Sequence, residues 1–218
     1  MMIHPNPKRV LIVGGGDGGS AREVLKHPNL EKAVMIDIDE AVVNACKEFM
    51  PSVNAGAFDD PRLNLIIGDG IDYVKNAPDA SFDVIIIDST DPWPDCASEC
   101  LYTEEFYKHC SRALADNGVM STQSCMPMWF EDSTYNNSIK NLQAVFTKER
   151  AWIYLIPTDS YSGQTSFSLS FKGDSHPLKF DKERAQGFMK EKGLKYYNPK
   201  MHESAFCLPN YLRKRLGL

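Results

Sequence analysis

Short apolar runs recur along the chain, most of them closed by glycine or aspartate and followed by a stretch with helical spacing. Arg9 to Val13 is a β-branched run that stops at Gly14-Gly15-Gly16-Asp17-Gly18-Gly19, and helix-forming residues continue from Ala21 to Lys26. Ala33 to Ile38 is the second expected strand. Asp39 is placed to cap a helix over Glu40 to Phe49, whose apolar positions Val42, Val43, Cys46 and Phe49 fall on one face, and Pro51 ends it. Leu63 to Ile67 is a third strand closed by Gly68-Asp69-Gly70, with a short helix through Val74. Phe82 to Asp88 is a fourth, and its nearly continuous apolar run suits a strand covered on both faces of a parallel sheet.

The alternation continues beyond a loop at Ser89 to Cys100. A helix over Glu104 to Leu114, capped by Thr103, turns at Asn117-Gly118 into a fifth strand, Val119 to Gln123. Ser133 to Phe146 reads as a helix, Ala151 to Ile156 and Thr165 to Phe171 as a closing hairpin, and Lys182 to Lys192 as a further helix. Tyr196 to Leu218 reads as irregular and then helical. Strands alternating with helices of this length imply βαβ units. The expected fold is α/β, a doubly wound Rossmann-like, mostly parallel sheet with a C-terminal antiparallel hairpin, forming one domain over residues 1–218.

Composition narrows the class of partner. With 24 basic against 29 acidic residues and a net charge of −5, the chain has no excess of positive charge for a polyanion, so no nucleic acid is expected and a cationic ligand suits it better. No apolar run approaches the ~20 residues of a membrane span and the first residues lack a signal-peptide core, so no membrane and a cytoplasmic location are expected. Six scattered cysteines do not make a disulfide framework. Cys96 and Cys100 form a CxxxC pair without a second pair, so no metal is expected and free thiols are.

In an open α/β sheet the ligand lies beyond the carboxyl ends of the strands, where this chain places the glycine turn, Asp37, Asp69 and Asp88. A glycine turn alone is equally compatible with a tight turn. Asp37 changes the balance, because it lies 18 residues past Gly19, where a carboxylate can accept both hydroxyls of an adenosine ribose. Asp17 then separates the candidate nucleosides. Inside the turn it would face a pyrophosphate, and like charges at ~4 Å and an effective dielectric of ~20 cost about 4 kcal/mol, which disfavours a nicotinamide dinucleotide. The carboxylate of S-adenosylmethionine meets the same objection, whereas its amine does not. Asp88 and Asp91, three residues apart, could both face the pocket, or Asp88 could cap a turn and Asp91 merely precede Pro92.

Val13-Gly14-Gly15-Gly16-Asp17-Gly18-Gly19, Ile36-Asp37-Ile38-Asp39, Gly68-Asp69-Gly70, Asp88-Ser89-Thr90-Asp91-Pro92, Ile156-Pro157-Thr158 with Ser162-Gly163-Gln164, and Tyr196-Tyr197-Asn198-Pro199 together resemble the polyamine aminopropyltransferases, nearest to their spermidine synthase branch. The resemblance covers nearly the whole chain. It implies transfer of the aminopropyl group of decarboxylated S-adenosylmethionine, a co-substrate rather than a prosthetic group, to putrescine, giving spermidine and 5'-methylthioadenosine. It also implies a homodimer or higher homo-oligomer. By the same resemblance Gly14, Gly16 and Gly18 would approach the nucleoside, Asp37 would hold the ribose where the family usually has glutamate, and Asp69 with Gly70 would meet the adenine. Asp17 would hold the ammonium of the aminopropyl arm. Asp88 would orient and deprotonate the attacking amine, with Asp91, Gln123 and Tyr161 lining its pocket.

Three departures bear on the details. The stretch from Pro157 to Gly163 is one residue longer than the family's, so Asp159 competes with Tyr161 for the distal amine. The loop from Trp93 to Cys100 is about two residues longer and carries an aromatic, so Trp93, Asp95 or Glu99 could favour spermidine, cadaverine or agmatine, or the loop could simply be solvated. The family has a small β-stranded domain ahead of its first Rossmann strand, whereas this chain begins eight residues before Arg9. That leaves open a truncated or regulatory homologue that binds the nucleoside and needs a partner chain for catalysis.

Overall fold

The computed structural model of the chain describes all residues except 94, 125–126, 128–132, 159, 161–162 and 218, and the side chains of 133–134. Seven strands form one sheet: β1 (Arg9–Gly14), β2 (Lys32–Asp37), β3 (Leu63–Ile67), β4 (Phe82–Asp88), β5 (Leu114–Gln123), β6 (Ala151–Thr158) and β7 (Gly163–Phe171), in the order β3-β2-β1-β4-β5-β7-β6. The first five run parallel and β7 is antiparallel to both β5 and β6, as the apolar patterning predicts.

Alternation within the central strands explains why they read as continuous apolar runs. Leu11, Val13, Val34, Ile36, Ile85 and Ile87 face one way, into a core shared with α4 (Gly70–Asn76), α5 (Glu104–Ala113) and α6 (Ser133–Phe146). Val10, Ile12, Ala33, Met35 and Val84 face the other way, onto Ala21, Val24 and Leu25 of α1 (Gly19–Leu25). Burial on both faces leaves the middle of these strands apolar, with polar positions only toward their ends. The amino end of the sheet is tied by Asp83, which is 7% exposed. Its carboxylate accepts from the backbone N–H groups of Lys8 and Arg9 and from the Arg9 guanidinium at 2.8 Å.

The structure departs from the sequence expectation at three places. Helix α5 ends at Ala113, and β5 already begins at Leu114, paired with Phe82. The ladder then slips, because the next pair is Val84 with Val119, so the Asn117-Gly118 turn is an irregularity inside a strand rather than the connection before one. Pro51 closes α2 (Glu40–Phe49) but also opens a single helical turn, α3 (Pro51–Asn54), at a position where its missing N–H costs nothing. The C-terminal stretch holds two short helices beyond α7 (Lys182–Lys192): α8 (Pro199–Ala205), capped by Asn198, and α9 (Asn210–Leu216).

Candidate active site

The strand order reverses between β1 and β4, and the two carboxyl ends meet there with Gly14 beside Asp88. Gly15 N–H donates to the Asp88 carbonyl at 2.9 Å. Gly14 has φ +83°, and a Cβ on it would stand 2.2 Å from that carbonyl oxygen, so only glycine lets the turn close on β4. A Cβ on Gly16 would stand 2.8 Å from Asp37 Oδ2, which brings the turn and the end of β2 together. Gly70 lines the same cavity, and its bare Cα is also required by packing: a Cβ would lie 2.5 Å from Val13 Cγ1. Gly18 differs from the other two turn glycines expected at the nucleoside. It is outside the cavity lining and is pressed against Asn54 and Phe58 at φ +77°, so the described geometry gives it a packing role.

The opening at these strand ends is a cavity of about 840 Å3. Asp17, Asp37, Asp39, Asp69, Asp88 and Asp91 all line it, and no lysine or arginine is among the described lining residues. Asp17, Asp37 and Asp69 are held by one local device, which Asp39 shares through Ala41 N–H. Asp17 Oδ1 accepts from Gly19 N–H at 2.7 Å, Asp37 Oδ1 from Asp39 N–H at 2.9 Å, and Asp69 Oδ1 from Ile71 N–H at 2.7 Å. Each bond spans two residues and leaves the second carboxylate oxygen without a partner among the described residues. Asp69 thereby caps α4, and Asp39 caps α2 through Ala41 and Val42.

The opposite wall is assembled from distant segments. Asp88 Oδ2 accepts from Ser20 Oγ, on the first turn of α1, at 2.6 Å. Burial pushes the Asp88 carboxyl above the usual carboxylate range; the Ser20 bond opposes that rise, and the charges of Asp17 and Asp37 add to it. Asp91 Oδ1 accepts from Gln123 Nε2 at 2.5 Å, and the Asp91 carbonyl accepts from Ser98 Oγ and Trp93 N–H, both at 2.9 Å. Thr158, Thr165 and Phe167 of the hairpin close this side, and Trp93 stands at the rim, 55% exposed. Behind it, Tyr154 is half-buried with its hydroxyl 2.9 Å from Ser121 Oγ, and desolvation pushes its pKa up to about 12.

Of the residues expected at the site, Gly14, Gly16, Asp17, Asp37, Asp69, Gly70, Asp88, Asp91 and Gln123 line one cavity. Tyr161 and its competitor Asp159 lie outside the described residues. In the 93–100 loop, Glu99 Oε2 accepts from the Asp95 N–H at 3.1 Å and neither residue lines the cavity, whereas Trp93 does. Cys96 and Cys100 are exposed free thiols, and among the described residues no group of three or more His, Cys, Asp or Glu is arranged to hold a metal. Sequence reasoning missed Ser20, Thr165 and Phe167, none of which belongs to a motif.

A parallel sheet with this order, a glycine turn on its first strand and an acid beyond each of the next three define an enzyme of the Rossmann-like, methyltransferase type. Residues 1–182 match the spermine/spermidine synthase domain. The chain is 41% identical over 218 residues to the polyamine aminopropyltransferase of Thermotoga maritima, covering all of this chain and 71% of that protein. It is 42% identical over 216 residues to that of Thermococcus onnurineus, covering 99% and 73%. A crystal structure of spermidine synthase in complex with the transition-state analogue AdoDATO superposes with a TM-score of 0.91 at 42% identity, covering 99% of this chain and 71% of that one. The chain belongs to the spermine/spermidine synthase family, and its reaction is aminopropyl transfer.

Proposed function

We propose that the chain transfers the aminopropyl group of decarboxylated S-adenosylmethionine to putrescine, releasing spermidine and 5'-methylthioadenosine. The observation that carries this reading is the ring of six aspartates around a cavity whose described lining holds no basic side chain. A donor with a sulfonium and an ammonium, together with a diamine acceptor, supplies the positive charge that such a site lacks. A pyrophosphate or a carboxylate-bearing nucleoside would meet the Asp17 carboxylate instead.

The proposed roles follow the two walls. Asp37 accepts the ribose hydroxyls, Asp69 the adenine amino group, and Asp17 the donor ammonium, each with the oxygen that its local hydrogen bond leaves open. Asp91 and Gln123 receive the acceptor, and Tyr161 is proposed to join them. The acceptor nitrogen forms a bond to the propyl carbon on sulfur while the C–S bond breaks. Its electron pair stays on sulfur as the neutral thioether of methylthioadenosine, and the amine proton passes to Asp88. A carboxylate is a weak base for a free ammonium, but burial and the adjacent sulfonium lower the amine's affinity for its proton, and alignment supplies much of the remaining rate. The whole chain acts as one catalytic domain and functions as a homo-oligomer in the cytoplasm.

Purified chain incubated with decarboxylated S-adenosylmethionine and putrescine is expected to yield methylthioadenosine and spermidine in equal amounts. Absence of methylthioadenosine at high enzyme concentration would overturn the reading. Cadaverine, agmatine and spermidine in the same assay test the acceptor, and a preference for one of them over putrescine would move the assignment to a longer amine, accommodated at the Trp93 rim.

A further inference from the structure

A buried tyrosine stands behind the acceptor wall and has no part in the reaction as described. Tyr102 ends the short 3-10 turn Glu99–Tyr102 and is 3% exposed. Its carbonyl accepts from Asn141 Nδ2 of α6 at 3.0 Å, which fixes its backbone against the core. Its hydroxyl lies 3.0 Å from the Thr90 carbonyl and 3.0 Å from Gln123 Oε1. The other end of the Gln123 amide, Nε2, lies 2.5 Å from Asp91 Oδ1.

The chemistry of these groups leaves one orientation for the amide. An ionised carboxylate only accepts, so Gln123 must turn its NH2 to Asp91 and its carbonyl away from it. The carbonyl then needs a donor, and the tyrosine hydroxyl stands where that oxygen points. We propose that Tyr102 is a positioning residue for the acceptor amine: its hydroxyl fixes the orientation of the Gln123 amide and, through it, the Asp91 carboxylate at the cavity wall. The same hydroxyl proton is shared with the Thr90 carbonyl, in the segment that joins Asp88 to Asp91, so one group steadies both the clamp on Asp91 and the backbone that carries it. With Oδ1 occupied by Gln123, Asp91 presents Oδ2 to a cation in a set direction. Without the hydroxyl Asp91 alone holds the amide, whose carbonyl loses its donor, and any rotation sets oxygen against oxygen at Asp91.

The proposal rests on the acceptor reading given above. Tyr102→Phe keeps the buried ring and removes only the hydroxyl. The acceptor KM, and the acceptor Kd by calorimetry in the presence of methylthioadenosine, are expected to rise about five- to tenfold, the loss of roughly one net hydrogen bond. The donor KM and kcat at saturating acceptor should stay within about twofold. Adding Gln123→Ala to Tyr102→Phe should weaken acceptor binding by less than Gln123→Ala does in the native chain, because the two residues act as one unit. An unchanged acceptor KM, an equal rise for donor and acceptor, or full additivity in the double variant would overturn the role of Tyr102 while leaving the reaction intact. A native chain that neither turns over nor binds the amine would overturn the reaction itself, and this role with it.

Discussion

The carboxylates on the two walls of the cavity are held in contrasting ways. On the wall assigned to the nucleoside, Asp17, Asp37 and Asp69 each accept from a backbone N–H two residues further on. On the wall assigned to the acceptor the partners are side chains far away in sequence: Ser20 and Asp88 are 68 residues apart, Gln123 and Asp91 32, and Tyr102 and Gln123 21. A local bond comes with the turn itself and depends little on the rest of the fold. A long-range bond exists only when the sheet and its helices have assembled, and it can tune a single carboxylate without altering the turn that bears it. The contrast fits the proposed division, in which the first wall recognises the donor and the second adjusts reactivity and acceptor choice.

The largest expected effect probes that division at Asp88. Asp88→Asn keeps the shape and the Ser20 contact but cannot accept a proton, so turnover should fall roughly 10²–10⁴-fold while methylthioadenosine affinity by calorimetry stays within about twofold. Stability should move the other way. The folded Asp88 carboxyl binds its proton more tightly than the unfolded one, so its ionisation at neutral pH works against folding, and the native chain loses that stability as pH rises through the range between the two. The variant should melt at or above the native temperature at pH 7. Retained turnover would remove Asp88 from the role of base.

A smaller effect is expected at Asp17 and tests the recognition wall. Asp17→Asn preserves the acceptor for Gly19 N–H and removes the negative charge. The donor KM should rise about tenfold, the scale of one charge-assisted hydrogen bond, whereas binding of methylthioadenosine, which has no aminopropyl ammonium, should hardly change. Equal losses for both ligands would mean that Asp17 supports the turn and does not touch the arm.

The same contrast explains what could be read without coordinates. The positions on the wall assigned to the nucleoside were legible because each of its acids sits at a strand end and is held by its own neighbours, so the motif contains the whole device. Asp88 and Asp91 were legible as positions, from the end of the apolar run at Ile87 and from a resemblance, but their partners were not. Ser20 follows the last glycine of the turn like any first-turn helix residue, and Tyr102 reads as an ordinary core aromatic; only the β1–β4 junction and the packing of α6 reveal what they touch. At the fold level the strands were read correctly where burial on both faces leaves no polar position. The start of β5 was misplaced because a turn signal at Asn117-Gly118 outweighed Leu114, whose pairing with Phe82 is set by β4, not by its neighbours. Helix α8 did carry a local signal, since Asn198 with Pro199 is a cap followed by a first-turn proline.

Ser20→Ala is the mildest of the tests and the one that separates adjustment from recognition most cleanly. The Ser20 hydroxyl donates to the charged form of Asp88 and so opposes the upward pull of burial; without it, the carboxyl should hold its proton to higher pH than in the native chain. In its proposed role Asp88 takes the amine proton only when ionised, so the acid limb of kcat/KM should move to higher pH. The sign is fixed: activity in the variant should fall about two- to fivefold below native on the acid limb, and the two profiles should converge once Asp88 is fully ionised in both. Ionisation of the acceptor amine shapes the alkaline side equally in both enzymes and cancels in the ratio. Ser20→Thr, which keeps a hydroxyl, should restore the native limb. A parallel drop at every pH would mean that Ser20 acts through packing of α1 and not on Asp88, and the adjustable character of the acceptor wall would then rest on Gln123 and Tyr102 alone.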